Sequence, residues 1–203
     1  MKVFLAGATG VIGRPLVKLL REAGHAVTGT TRSPGKAAAI EALGASAMVV
    51  DAFDAAALTQ AVAAARPEVV IHQLTDLPDT MDPARRAAVL EANARLRIEG
   101  TRNLMAAAQA SGARRVVALE NAVTQTPGID GVVLRYGRLY GPGTWFAERS
   151  GPGPLSTDAA AHAALLAVTR GAPGIYNIAE DDGALSIEKA RRELGFDPGF
   201  RMP

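Results

Sequence analysis

Three glycines at fixed spacing, set directly after an apolar run, constrain this chain more than any other feature. Lys2–Ala6 reads as a buried strand and leads straight into Gly7-Ala8-Thr9-Gly10-Val11-Ile12-Gly13, which opens a helical stretch over Ile12–Ala23. In such a loop the first glycine permits a tight turn, the second lets backbone approach a pyrophosphate, and the third lets the helix pack closely on the strand. The helix amino terminus adds free N–H groups and the positive end of its dipole. A glycine pattern alone is a weak signal. Strand, glycines, helix and a second strand arriving in register make it a dinucleotide-binding loop.

The rest of the first 120 residues keeps the same alternation. Ala26–Thr31, Ala47–Val50, Glu68–Gln73 and Arg115–Leu119 read as further strands, near-continuous apolar runs of the kind that are covered on both faces. Helices are expected over Lys36–Leu43, Ala55–Ala65 and Pro83–Ala110, and Gly24, Gly44 and Gly112 stand where a glycine closes a helix. Alternating strands and helices imply an α/β fold, a Rossmann-type doubly wound parallel sheet. Beyond Leu119 the rhythm loosens into a strand at Gly131–Tyr136, a Gly/Pro-rich stretch, a helix near Ser156–Arg170, a strand at Ile175–Ile178 and a last helix near Ser186–Leu194. This half is too short for a second domain. One domain over 1–203 is expected, with 121–203 extending the sheet and forming a small, incomplete C-terminal substrate lobe.

The end of the second strand selects the cofactor. An Asp or Glu there would bond the ribose 2′-hydroxyl of NAD. The chain has Thr30-Thr31-Arg32-Ser33 instead. With no carboxylate to repel a phosphate and a guanidinium able to hold one bidentately, NADP(H) is favoured over NAD(H). Asp51, ending the third strand, is placed either for the adenine side or to cap the next helix.

Composition removes several alternatives. The 22 basic and 20 acidic residues leave a formal charge of +2, and no Lys/Arg stripe interleaves with aromatics, so no nucleic-acid partner is expected. No stretch has the length and apolarity of a membrane helix. With no cysteine, disulfides, thiolate chemistry and Cys-based metal sites are excluded. No metal site is expected, and a soluble, cytoplasmic protein is the default.

Several segments together resemble the extended, or atypical, short-chain dehydrogenase/reductases, specifically the NAD(P)-dependent epimerase/dehydratase group: AGATGVIGRPLV, EVVIHQLT, EGTRNLMAAAQASGARRVV, GVVLRYGRLYGPGT and KARRELGFDP. The resemblance implies that Gly7, Thr9, Gly10, Val11 and Ile12 touch pyrophosphate and ribose, Arg32 the 2′-phosphate, and Asp51 with Ala52 the adenine. It further implies that Gln73, Leu74 and Thr75 line the nicotinamide ribose, with Asn93 facing them from the long helix, and that a homodimer is possible. His72, inside an apolar strand, reads as a satisfied core residue rather than a catalyst.

The group's general acid is a Tyr whose phenol is acidified by a Lys four residues on. Here Tyr136, Tyr140 and Tyr176 are followed at that spacing by Tyr140, Thr144 and Glu180, so the pair is absent and no catalytic residue is assigned. Tyr136 and Tyr140 read as loop and substrate-wall residues. Two functions fit: an NADP(H)-dependent oxidoreductase or epimerase/dehydratase-like enzyme acting on a small carbonyl or hydroxyl compound, nucleotide-sugar-like ones included, or a non-catalytic NADP(H)-binding redox sensor. The family pattern breaks near 119–120, 149–156 and 183–184 and then resumes in register. This interruption leads to the expectation that the chain joins pieces of a longer protein, lacking the segment with the Tyr/Lys pair and a strand before the Asp158-Ala159-Ala160 helix.

Overall fold

In a computed structural model that describes residues 1–78 and 80–203, the strands run β1 (Lys2–Ala6), β2 (Ala26–Thr31), β3 (Ser46–Val49), β4 (Val69–His72), β5 (Arg115–Ala118), β6 (Asp130–Tyr136), β7 (Arg138–Tyr140), β8 (Pro154–Ser156) and β9 (Gly174–Ile178). Seven of them form one sheet in the order β3-β2-β1-β4-β5-β6-β9, every neighbouring pair parallel. The direction of winding reverses between β1 and β4. That crevice, at the carboxyl ends of the strands, is where open parallel sheets bind ligands.

Burial on both faces explains the continuous apolar runs. Val3 and Leu5 join one core layer with α1 (Gly13–Glu22) and α6 (Thr157–Ala167), while Phe4 and Ala6 point to the other, against α3 (Ala55–Ala65) and α5 (Thr101–Ala110). The first face also carries α2 (Ala37–Glu41) through Ile40 and α7 (Glu188–Leu194) through Ala190 and Leu194. Gly24, Gly44 and Gly112 all adopt left-handed backbone, as helix-closing glycines do.

The helix expected over Pro83–Ala110 is four consecutive pieces: a 3-10 turn at Pro83–Arg85, α4 (Arg86–Arg95), a π-helical turn at Leu96–Gly100 and α5. Thr101 Oγ1 donates to the carbonyl of Arg97 inside that turn. No residue of α4 is buried, and Leu90 and, just beyond, Ile98 face outward. None of the described helices is long and apolar enough to cross a membrane.

Two places bear on the interrupted pattern. The strand that the interrupted pattern omits before α6 is present as β8, which pairs in parallel with β7 in a small second sheet. Between β5 and β6 the crossover is made by residues 119–129 with one short 3-10 turn, Asn121–Gln125, instead of a helix. That is close to the minimum of about a dozen residues that a parallel crossover needs. The turn lies directly on β6, where a Cβ on Gly131 would stand 2.1 Å from the carbonyl oxygen of Val123.

Candidate active site

The glycine loop is built by two close approaches and one open position. Gly7 has φ +89°, and a Cβ there would meet the Gln73 carbonyl oxygen at 2.5 Å; one on Gly13 would meet the Gly7 carbonyl oxygen at 2.1 Å. These two are glycines because the fold has no room. Gly10 is different: its backbone is not left-handed, and an added Cβ would touch only the Gly7 carbonyl oxygen, at 3.4 Å. Among the described residues nothing demands a glycine here, which fits a ligand drawn up against the loop.

The amide groups agree. Gly10 N–H donates to the Gly7 carbonyl and Arg14 N–H to that of Gly10, but among the described residues the amides of Thr9, Val11 and Ile12 reach no acceptor. α1 also begins without a capping side chain and without an acidic residue in its first turn. By contrast, α3 is capped by Asp54, which accepts from Ala57 N–H at 2.9 Å, and α6 by Ser156, which accepts from Ala159 N–H at 3.1 Å. An uncapped helix amino terminus beneath free amides is a place for an anion.

The loop opens into a cleft of about 840 Å3, large enough for a dinucleotide segment with a small second ligand. Gly7, Thr9, Gly10, Val11, Ile12, Arg32, Asp51, Ala52, Gln73, Leu74 and Thr75 all line it. Asn93 does not: its side-chain oxygen instead accepts from Asp76 N–H at 2.9 Å, supporting the loop after β4 from behind. Asp51 is no helix cap. Its carboxylate accepts from Phe53 N–H at 2.9 Å in a local turn, leaving the cap to Asp54. A smaller hollow of about 370 Å3 at the amino-terminal ends of β1 and β2, among Lys2, Arg21 and Ser46, lies away from this chemistry.

At the end of β2 the structure adds two residues that the sequence reading left out. Lys36 lines the cleft beside Arg32 and Ser33, and the run Arg-Ser-Pro-Gly-Lys is the signal that would have shown it. Asp76, from the loop after β4, forms an ion pair with Arg32, and the hydrogen bond between them holds the guanidinium more firmly protonated. The expected carboxylate-free phosphate pocket therefore has a carboxylate after all, delivered from a different strand.

His72 is buried and neutral. Leu74 N–H donates to its Nδ1 at 3.2 Å, and its Nε2 lies 2.7 Å from Thr101 Oγ1, so both ring nitrogens are engaged. Burial depresses its pKa to about 4. Its ring tethers the backbone at Leu74 and never reaches the cleft, so it is a positioning residue for the cleft wall.

Tyr136 lines the cleft opposite the loop, its phenol accepting from the Gln73 side-chain amide at 3.0 Å. Burial raises its pKa well above that of a free phenol. Tyr140 turns away and donates to Glu180, which also pairs with Arg149 and Arg201. The outer wall comes from residues 142–146, where Trp145 Nε1–H donates to the Pro78 carbonyl at 2.9 Å and closes the cleft mouth.

Comparison with known proteins adds three findings. The sequence profile of the NAD(P)H-binding family matches residues 7–136. A Streptomyces protein, 3-diazoavenalumate denitrifying reductase, is 35% identical over the whole of this chain and 84% of its own length. That alignment runs over 263 positions against 203 residues here, so the relative carries internal segments with no counterpart in this chain. Among solved structures, the Thermotoga maritima UDP-glucose 4-epimerase with UDP-glucose superposes at a TM-score of 0.79, covering 99% of this chain and 94% of that one at 16% identity. The Thermus thermophilus UDP-glucose 4-epimerase with NAD gives 0.72 over 98% and 85% at 19% identity. Both are likenesses of fold.

Proposed function

The chain belongs to the NAD(P)H-binding family, within the extended short-chain dehydrogenase/reductases, and from that premise we propose that it is an NADP(H)-dependent reductase of small electrophilic compounds. The observation that carries the reading is a complete dinucleotide cradle beside a cleft without an acidified phenol. Thr9, Val11 and Ile12 would take the pyrophosphate on their free amides, Arg32 and Lys36 the 2′-phosphate, Asp51 and Ala52 the adenine, and Gln73, Leu74 and Thr75 the nicotinamide ribose. Bound there, a reduced nicotinamide supplies hydride.

What the cleft lacks narrows the acceptor. Tyr136 has no lysine four residues on, and burial suppresses the acidity of its phenol, which makes it a poor proton donor. Reducing a carbonyl leaves an alkoxide that needs a proton. Reducing an aryl diazonium does not: hydride forms the new C–H bond, the C–N bond breaks with its electron pair leaving on nitrogen, and N2 departs. The charges balance with no proton donated. The relative is by name a denitrifying reductase of a diazo compound, which agrees with this requirement. We therefore place aromatic diazo compounds ahead of carbonyls as substrates.

The test is NADPH oxidation with an aryl diazonium, together with N2 release by mass spectrometry, beside a panel of small aldehydes, ketones and UDP-glucose. Turnover of the diazonium with stoichiometric N2 is expected. The absent Tyr/Lys pair equally favours a redox sensor, and NADPH binding without turnover of any compound would select that reading. Leu90 and Ile98, exposed on the helix that carries α4, support a homodimer through this face.

A further inference from the structure

Among the described residues, the outer half of the cleft holds a guanidinium that enters no ion pair. Arg138, the first residue of β7, lines the cleft, and among the described residues it enters no ion pair. Other arginines are engaged: Arg149 and Arg201 both pair with Glu180, Arg32 pairs with Asp76, and Arg14, which also lines the cleft without an ion pair, donates from Nε to the Thr9 carbonyl at 3.1 Å. Arg138 is nevertheless held in place. Its backbone N–H donates to the Gly153 carbonyl at 2.8 Å, and its guanidinium lies over the Phe146 ring, 5.1 Å from the centroid. Gly151 (φ +64°) makes room for it, since a Cβ there would stand 3.3 Å from the guanidinium carbon.

An exposed arginine on its own is an ordinary solvated side chain. Here it stands among exposed apolar groups. Leu77, Trp145 and Phe146 are 41%, 41% and 37% exposed, and all three line the same cleft. Large apolar side chains gathered at one mouth mark a binding surface, whereas scattered ones need no explanation. Trp145 is also fixed, by its bond to Pro78, so that its ring is a preformed wall.

Resting on the reductase reading, we propose that Arg138 receives the carboxylate of a planar, conjugated aromatic acid whose ring lies against Trp145 and Phe146, and that this contact selects the substrate class. A guanidinium fork matches a carboxylate bidentately, and its stacking on Phe146 keeps it aimed without neutralising it.

The experiment uses binding, so it does not depend on turnover. The protein saturated with NADP+ is titrated with trans-cinnamate and with the neutral trans-cinnamamide, read by quenching of Trp145, the single tryptophan. Cinnamate is expected to bind roughly tenfold or more tighter than the amide, the size of a lost hydrogen-bonded charge contact. Arg138→Gln should remove that difference by weakening only the acid, and Arg138→Lys should restore part of it. NADP+ affinity in both variants reports that the fold persists, and the lysine variant decides if the glutamine one does not fold. Equal affinity of the two ligands for the wild type, or equal loss for both in Arg138→Gln, overturns the anchor. Anchored binding without turnover would remove the reductase reading and leave the anchor standing; turnover of neutral and anionic diazonium compounds with equal kcat/KM would do the reverse.

Discussion

Arg32, which lines the cleft, forms an ion pair with Asp76 that ties the end of β2 to the loop after β4. In the absence of a ligand, the guanidinium proposed to read a 2′-phosphate is thus engaged by a carboxylate that the phosphate must displace. The pair is well exposed on the arginine side, so its own contribution is about 0.2–1 kcal/mol. Asp76→Asn is therefore expected to tighten NADPH binding by roughly two- to fivefold. NADH binding should hardly move. Calorimetric titration of both cofactors checks this, and unchanged or weaker NADPH binding would show that Asp76 assists the cofactor instead of competing with it.

The complementary substitution isolates the phosphate contact. Arg32→Ala should raise the dissociation constant for NADPH by more than about tenfold, because a charge-assisted hydrogen bond is worth roughly 1.5–3 kcal/mol. The constant for NADH should stay close to wild type. Equal losses for the two cofactors would leave Arg32 with no part in choosing between them.

Gly10 and Gly13 of the loop should separate by outcome. Gly10→Val is expected to fold, since a Cβ there meets nothing closer than the Gly7 carbonyl oxygen at 3.4 Å, but to lose both cofactors because it fills the space proposed for pyrophosphate. Gly13→Val should fail to fold, its Cβ falling 2.1 Å from a backbone oxygen. Thermal melts with and without NADPH read both effects. Retained affinity in a folded Gly10→Val would make the loop purely structural.

How much of this was legible in the sequence depended on how local its cause is. β1, β2 and α3 fall at the expected residues because their causes act within one element: an apolar run in β1, the β-branched Val27, Thr28, Thr30 and Thr31 in β2, and the Asp54 cap of α3. The π-helical turn at Leu96–Gly100 was not visible, since it depends on Leu96 packing against Gly100 and on Thr101 bonding back to Arg97. β7 and β8 are three residues each and exist only through their mutual pairing, Arg138 opposite Pro154. The cleft's contents divide the same way: the loop glycines and Arg32 were readable from local sequence and the other strand-end residues from the family resemblance, while Asp76 reaches Arg32 across 44 positions and Trp145 reaches Pro78 across 67. No local pattern encodes such meetings.

His72 gives the protein an acid limit of identifiable origin. Its ordinary pKa of 6.5 falls to about 4 in the folded state, chiefly because burial penalises the charged ring. Between those two pH values the unfolded chain takes up a proton at this site and the folded chain does not, so stability falls as pH falls. The contribution is fully present above about pH 6.5 and is lost progressively toward pH 4, at up to about 1.4 kcal/mol per pH unit. Protonation also converts Nδ1 from acceptor to donor, which breaks its bond with Leu74 N–H and frees the backbone that lines the cleft. Other groups titrate over the same range, His25 and His162 among them, both lowered mainly by burial, so the comparison must be with a variant. Urea midpoints for wild type and His72→Asn, measured from pH 7 down to pH 4.5, should converge as the pH drops, the variant showing the shallower loss even though it starts less stable. Parallel stability curves for the two proteins would remove His72 as the source of the acid limit.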